Sequence, residues 1–113
     1  MDEAAFNALA ERELGRIEDA FEACMDSGGV DIDVEVQPGG VLELEFGDGS
    51  KMVINRHSAA REIWVAAKSG GFHFRPDDQG QWFDTRSGEE LWAALRRLAG
   101  AQAGADLGAL GAR

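Results

Sequence analysis

Strict alternation of apolar and acidic residues is the feature that most constrains the fold of this chain. The segment VDIDVEVQPGGVLELEF (30–46) holds two such runs around a Pro-Gly-Gly sequence. Because side chains on a strand point to opposite faces at a period of two, the pattern predicts a β-hairpin with one apolar and one acidic face. The acidic face carries five carboxylates, from Asp31, Asp33, Glu35, Glu43 and Glu45. Like charges opposite one another on paired strands destabilise by roughly 0.2–1 kcal/mol per pair, so folding alone does not explain this face.

The flanking segments predict one helix on each side of a run of short strands. Between residues 3 and 24 apolar residues recur every three or four positions, which indicates an amphipathic helix. Further alternating segments separated by turns follow in residues 51–84. The segment SGEELWAALRRLAG (87–100) predicts a second helix, with Ser87 as its N-cap and Glu90 completing a capping box. These elements indicate an α+β fold, a two-layer sandwich in which an antiparallel sheet of five or six strands has both helices packed on one face.

The length of 113 residues corresponds to one domain. We expect it over residues 1–100, followed by a loose Ala/Gly-rich C-terminal tail over residues 101–113. The lone Cys24 excludes an intramolecular disulfide framework, and no apolar run approaches the ~20 residues of a membrane span. The N-terminus has neither the basic nor the apolar region of a secretion signal. These observations favour a soluble protein of the reducing cytoplasm.

The negative charge is concentrated in the first half of the chain. Residues 1–50 contain 14 acidic and 2 basic residues, whereas residues 51–113 contain 7 and 9, which together give a net charge of −10. A field of this sign repels nucleic acid and anionic membranes and attracts cations or basic protein surfaces. We therefore expect no nucleic-acid partner and no membrane partner.

Seven carboxylates are candidate metal ligands, because they follow one another along the first helix, its trailing loop and the first strand. They are Glu18, Asp19, Glu22, Asp26, Asp31, Asp33 and Glu35, and we call them the acidic ridge. If that strand lies at the sheet edge beside the helix, they form one surface. Clustered carboxylates suit hard cations and also complement a basic partner. Because the tight-site motifs of calcium, zinc and di-iron proteins are absent from the sequence, the pattern predicts weak, multi-site binding without strong selectivity. A solubilising face is the alternative.

Trp64 is a second candidate, for partner binding. It is flanked by two aliphatic residues in the strand EIWVAAK, so it must point to the face opposite the core, as Asn55 does on the preceding strand. An exposed tryptophan is typical of binding hot spots, although a covering loop or side chain would equally account for it. Trp82 and Trp92 are expected in the core.

Two lone histidines and the cysteine are interpreted as structural or solvated residues. His57 follows a strand, His73 lies between two phenylalanines, and Cys24 continues the apolar stripe of the first helix. A secondary metal-ligand role for His73 is the weaker alternative. No pairing of a nucleophile with a histidine is legible in the sequence, so no catalytic residue is assigned.

The segments FGDGSKMVINRHSAAREIWVAAKSGGFHF (46–74) and WFDTRSGEELWAAL (82–95) resemble the frataxin family, in its bacterial CyaY branch. The resemblance extends over residues 4–100. It implies a helix–sheet–helix fold, weak binding of Fe²⁺ and Fe³⁺ by the acidic ridge, and contact with the cysteine desulfurase and the scaffold protein of iron–sulfur cluster assembly. Transferred by position, the metal ligands are the seven residues of the acidic ridge. The partner-binding residues are Glu18, Asp19, Glu22, Asn55 and Trp64.

The function predicted from the sequence is therefore that of an iron-binding accessory or regulatory protein of iron–sulfur cluster assembly, a monomer without a catalytic centre of its own. Two alternatives stay open. One is a ferroxidase or iron-storage protein, in which the acidic ridge oxidises or retains iron. The other is an acidic protein-interaction module without a metal role.

Overall fold

A computed structural model describes residues 1–27 and 30–111. Within these residues the chain forms two helices and six strands. They are α1 (Glu3–Asp26), β1 (Ile32–Gln37), β2 (Val41–Phe46), β3 (Lys51–His57), β4 (Glu62–Ala67), β5 (Gly70–Pro76), β6 (Trp82–Asp84) and α2 (Leu91–Ala103). The strands lie in the sheet in chain order, and every neighbouring pair is antiparallel. This architecture confirms the predicted α+β sandwich.

The hydrophobic core lies between the two helices and one face of the sheet. It is built by the inward positions of the strands and by the apolar stripes of the helices, since a sheet face and a helix stripe can each be removed from water only against another element. Its largest fully buried side chains include Trp82, Phe6, Phe21, Phe74, Ile17, Leu44, Met52 and Ile54. We call the opposite face of the sheet, which carries the outward positions, the open face.

The acidic hairpin forms as predicted, and its strand β1 lies at the edge of the sheet. Gly39 and Gly40 in the connecting turn have φ of 86° and 77°, a backbone region that glycine adopts without the steric cost of a Cβ. The pairing places Asp33 opposite Glu45 and Glu35 opposite Glu43. The like charges therefore face one another directly, as the alternation of the sequence requires.

The start of α2 differs from the sequence prediction. Its N-cap is Glu90, whose carboxylate accepts hydrogen bonds from the backbone N–H groups of Trp92 and Ala93 at 2.8 and 3.1 Å. Ser87 is not the cap, because its hydroxyl donates to the buried carboxylate of Asp84 at 3.0 Å. Asp84 organises the loop before α2, so the helix begins one helical turn later in the chain than predicted. The predicted capping box is wrong for this reason.

Residues 101–110 are packed, whereas the sequence favours a loose tail over residues 101–113; residues 112 and 113 lie outside the described residues. Helix α2 continues to Ala103 and ends at Gly104, which has φ of 65°. Leu107 and Leu110 then return to the core, where they are 6% and 3% exposed. The Nε–H of Arg96 donates to the carbonyl of Leu110 at 2.9 Å and fixes this return.

A buried carboxylate joins the two helices. Glu13 on α1 is 4% exposed and accepts a hydrogen bond from the indole Nε1 of Trp92 at 2.6 Å. The guanidinium of Arg16 also donates to Glu13, at 3.0 Å, so the charge of this carboxylate is compensated. As predicted, both Trp82 and Trp92 are buried. Among the described residues, neither helix combines the length and apolar character needed to cross a membrane.

Candidate functional site

The helical part of the acidic ridge lies along the second half of α1. Glu18 is half-buried, while Asp19, Glu22 and Asp26 are exposed. Partial burial raises the pKa of Glu18, and the neighbouring carboxylates of Glu22 and Asp19 raise it further. Proton release from Glu18 is therefore opposed by its neighbours, and a bound cation would relieve the same repulsion.

The strand part of the acidic ridge belongs to the open face. Asp33 and Glu35 are exposed on β1, and Asp31 immediately precedes this strand. The Asp31 carboxylate lies so close to the β2–β3 turn that a Cβ added to Gly47 would come within 2.8 Å of its Oδ2. The Nζ of Lys51 lies 3.0 Å from Glu43 Oε1, and this pair offsets part of the negative charge of the face.

The two parts of the ridge meet at the sheet edge but lie on different layers. The helical acids belong to the helix layer, whereas the strand acids point away from it, so the ridge wraps around β1 rather than forming one plane. Among residues 1–27 and 30–111, no three His, Cys, Asp or Glu side chains converge closely enough to hold one metal ion. The arrangement offers pairs of carboxylates, and pairs suit hard cations that keep much of their hydration shell.

Trp64 occupies the centre of the open face, as strand parity predicts. Its partner on β3 is Asn55 and its partner on β5 is His73. The indole ring is stacked between two imidazoles, with centroid distances of 4.0 Å to His57 and 4.5 Å to His73 and interplanar angles of 10° on both sides. We call these three residues the histidine–tryptophan stack.

Glu62 lies beneath this stack. It is 5% exposed and accepts hydrogen bonds from Trp64 Nε1 at 2.7 Å and from Arg75 Nε at 2.8 Å, while His73 Nδ1 lies 3.5 Å from its Oε1. Burial raises the pKa of Glu62, but the hydrogen bonds from Trp64 and Arg75 and the charge of Arg75 outweigh it and hold the pKa below the usual value. Glu62 is thus a fixed negative charge that orients the indole ring.

The sequence interpretation of the open face was incomplete in two respects. Trp64 is half-buried, because His57 and His73 cover both sides of its ring, so the interpretation with a covering side chain applies and a largely exposed tryptophan is not observed. Glu62 was not recognised as a site residue. Its position two residues before Trp64 on the same strand face was the available signal, since it puts both side chains on the open face. Cys24 packs half-buried against the core, and burial raises the pKa of its thiol, as expected of a structural cysteine.

The low pKa of Glu62 leads to a testable prediction about acid stability. Because Glu62 is ionised more easily in the folded than in the unfolded protein, its contribution to the free energy of unfolding is present above the ordinary glutamate pKa of about 4.3 and is lost as the pH falls through the lower folded value. We expect Glu62→Gln to be less stable than the wild type at pH 7 and to lose less stability on acidification. Urea denaturation at several pH values measures this.

Glu11→Gln is the matched control for Glu62, since Glu11 forms an ion pair with Arg56 but its side chain is 66% exposed. Exposed ion pairs contribute little, so its acid profile should follow that of the wild type. Parallel acid profiles for wild type and Glu62→Gln would contradict the assignment of Glu62 as a low-pKa group.

The fold and this site define a class of small α+β sandwich domains that carry an acidic surface at a sheet edge. A family model described as a frataxin-like domain matches residues 1–105. The chain is 57% identical over 104 residues to the iron–sulfur cluster assembly protein CyaY of Dechloromonas aromatica, covering 92% of this chain and 94% of that protein. Among solved structures, it is similar to the frataxin of Psychromonas ingrahamii, with a TM-score of 0.80, 29% identity and coverage of 94% and 95% of the two chains.

A further similar structure is a trimeric frataxin from the yeast Saccharomyces cerevisiae, complexed with ferrous iron. It has a TM-score of 0.73 and 28% identity, and the match covers 85% of this chain and 86% of that one. The chain therefore belongs to the frataxin family, in its bacterial CyaY branch.

Proposed function

We propose that this protein is an iron-binding accessory and regulatory protein of iron–sulfur cluster assembly. The observation that carries the proposal is the direct pairing of carboxylates, Asp33 with Glu45 and Glu35 with Glu43, on an exposed sheet edge. Such pairs oppose folding, and Lys51 offsets only part of their charge through Glu43. A ligand that neutralises the remaining charge would explain why the pairs are present. Membership of the frataxin family and the name of the Dechloromonas relative support iron–sulfur cluster assembly as the process.

Iron is the cargo of the acidic ridge in this proposal. Fe²⁺ and Fe³⁺ bind weakly and at several positions, because the carboxylates occur in pairs and a cation bound to a pair keeps water ligands that it can exchange. The complex of the yeast frataxin with ferrous iron supports this choice of metal. A weakly held ion is available for transfer to another protein.

The partners proposed are the cysteine desulfurase and the scaffold protein of the assembly machinery, met in the cytoplasm by a monomer of this chain. The negative charge of residues 1–50 steers a basic partner surface toward the ridge. Glu18, Asp19 and Glu22 are the contacts on the helix. Trp64 and Asn55, at the centre of the open face, then provide the short-range contacts.

A ferroxidase centre is the less favoured alternative. Oxidation at a di-iron site requires several carboxylate or histidine ligands that converge on two metal ions. The described residues bring such side chains together in pairs, without a group of three. This geometry favours binding and transfer over catalysis by the chain itself.

Neutralising the ridge tests the metal role. We expect a variant with Glu18→Gln, Asp19→Asn and Asp31→Asn to bind iron more weakly than the wild type, and to melt at the same or a higher temperature at low salt because repulsion between carboxylates is removed. Salt and divalent cations should stabilise the wild type more than this variant. Iron titrations followed by NMR and thermal melts at two salt concentrations measure both effects.

The control replaces three exposed acids outside the ridge, as Glu3→Gln, Asp78→Asn and Asp106→Asn, which changes the net charge equally. Equal loss of iron binding in both variants would show a general charge effect and would contradict a ridge site. A ridge site would also be contradicted if iron perturbs the NMR signals of His57 and His73 instead of those of the ridge. A large fall in melting temperature of the ridge variant at low salt would mean that the acids are structural.

A further inference from the structure

The outer side of β1 is a row of backbone groups without partners. Strand β1 lies at one edge of the sheet and pairs with β2 over all of its residues, from Ile32–Phe46 to Gln37–Val41, without a bulge. Within residues 1–27 and 30–111, its backbone forms no hydrogen bond other than those of this pairing. Every second residue of an edge strand directs its N–H and C=O groups away from the sheet. We call this outer row, over residues 32–37, the β1 edge.

The opposite edge of the sheet is protected in ways that β1 is not. Strand β6 has three residues, against six in β1. The loop before α2 covers β6, because Phe83 forms a β-bridge with Glu90 and the N–H of Asp84 donates to the carbonyl of Glu89 at 2.8 Å. Short length and a covering loop both prevent the addition of a further strand. At the β1 edge, side-chain charge is therefore the main restriction on what can pair with it.

That charge has a single sign on the open face. Asp33 and Glu35 are exposed there, and their cross-strand neighbours are Glu45 and Glu43. In the part of the chain that the structure describes, Lys51 pairs with Glu43, and the other three carboxylates form no ion pair. A strand with acidic side chains on this face is repelled, whereas one with lysine or arginine is attracted.

The side chains on the helix side of the β1 edge are apolar. Val34 and Val36 lie opposite Leu44 and Leu42 of β2, on the face of the sheet that carries the core. Val34 packs against the core, but Val36 is 54% exposed. An additional strand with an apolar side chain beside Val36 would remove this surface from water. The two faces of the β1 edge thus favour different side chains.

We propose that the β1 edge accepts an extended segment of a partner protein as an additional strand, and that this segment alternates basic with apolar side chains. Main-chain hydrogen bonds supply the affinity, and the alternation supplies the specificity. The basic side chains lie beside Asp33 and Glu35, and the apolar ones beside Val34 and Val36. This inference deepens the proposed function and rests on its partner role, since it gives a binding mode for a basic partner. It does not require iron.

NMR titration of the isotope-labelled full chain without metal tests the proposal. The probe is a blocked hexapeptide in which lysine and valine alternate, and the control peptide has the same composition with the lysines and the valines in separate blocks. At about 0.15 M salt, the Debye length of about 8 Å limits long-range attraction. We expect the alternating peptide to shift the amide signals of residues 32–37, to slow their hydrogen exchange, and to bind about threefold or more tighter than the control.

Methylation of the peptide backbone separates strand addition from attraction between charges. In an extended peptide, the N–H groups of the lysines point to one side and those of the valines to the other. Two further peptides therefore carry N-methyl groups on the lysines or on the valines, with the charge unchanged. We expect one of them to lose about tenfold in affinity, because its hydrogen bonds to β1 are removed, and the other to lose much less. Equal affinities of the two methylated peptides would overturn the proposal.

Variants of β1 locate the added strand. Asp33→Asn should weaken binding of the alternating peptide about threefold, since it removes one charge beside a lysine. Val36→Thr keeps the β-branched shape and should weaken binding about twofold through the added hydroxyl. Asp78→Asn is the matched control, because it removes an exposed charge outside β1, and it should leave the affinity unchanged. Equal weakening by Asp33→Asn and Asp78→Asn would overturn the site.

Two outcomes distinguish this inference from the proposed function. A wild-type protein that binds the desulfurase, but whose β1 signals do not respond to the alternating peptide at millimolar concentration, would overturn strand addition alone. A protein that binds the alternating peptide along β1 but not the desulfurase would support strand addition and contradict the proposed partner. Peptide shifts confined to Glu18, Asp19 and Glu22 would place the basic segment on the helix and would also overturn strand addition.

Discussion

Replacing Leu107 and Leu110 with alanine is expected to lower the free energy of unfolding by about 4 kcal/mol or more in the double variant, since each buried leucine-to-alanine change costs about 2–5 kcal/mol. Both side chains are nearly inaccessible to water and belong to the main core cluster. They cover a stretch beside α1 and α2 that would otherwise be open to solvent. The effect should therefore be global and should appear as a lower urea midpoint with little change in slope.

The control for this experiment is Ala109→Ser, because Ala109 lies between the two leucines but is exposed. It should leave the urea midpoint nearly unchanged. If the double leucine variant were as stable as this control, residues 105–110 would not be part of the cooperative unit. The iron affinity of the variants should stay unchanged while they remain folded, since the acidic ridge does not include these residues.

Trp64→Ala is expected to weaken binding to the proposed partner, the cysteine desulfurase, by more than about 1 kcal/mol, or about fivefold, the usual threshold for an important interface residue. Trp64 lies at the centre of the open face, and its ring is held in place by the two imidazoles and by Glu62. A side chain fixed in advance loses little conformational entropy on binding, which favours a large contribution.

The histidine–tryptophan stack also changes what we expect for the stability of this variant. Strand parity alone suggests that Trp64→Ala scarcely affects folding. The observed stacking implies a cost of about 1 kcal/mol, since aromatic pairs contribute about 0.5–1.5 kcal/mol beyond burial. Trp64→Phe is the matched variant, because it keeps a smaller aromatic ring between His57 and His73 and removes the hydrogen bond to Glu62.

Binding calorimetry on the folded variants separates the effect of Trp64 on the affinity for the desulfurase from its effect on stability. Charge reversal at Glu18 and Asp19 should instead slow association and reduce its dependence on salt, because those residues act through the long-range field. Unchanged desulfurase affinity of Trp64→Ala would remove the open face from the interface. Complete unfolding of Trp64→Ala would mean that the ring is a core element rather than a binding residue.

The fold was predictable from sequence because each of its elements carries a strong local signal. The period-two alternation of residues 30–46 determines which side chains reach the core, and the stripe from Phe6 to Phe21 determines the buried side of α1. Strand parity correctly placed Trp64 and Asn55 on the open face. The position of β1 at the sheet edge could be assumed but not predicted from the sequence, since local patterns do not determine strand order.

The remaining features depend on contacts between residues that are distant in sequence. The stack of His57 and His73 on Trp64 requires the register of three strands, which no local pattern contains. The sequence gives no sign that Leu107 and Leu110 return to the core, because the glycines and alanines around them are typical of a loose tail. The start of α2 was misplaced because Ser87 and Glu90 match a capping pattern, while the competing bond to Asp84 is tertiary.

The edge position of β1 bears on how the protein avoids self-association. Among the described residues, β1 pairs with β2 alone, so its other side presents unpaired backbone groups, and Val36 within β1 is 54% exposed. Such an edge is a template for adding a strand from another molecule, and charged side chains are the usual protection against it. Asp33 and Glu35 provide that protection here. If the proposed cations bind Asp33 and Glu35, they also weaken this protection, because they remove the repulsion between two such edges.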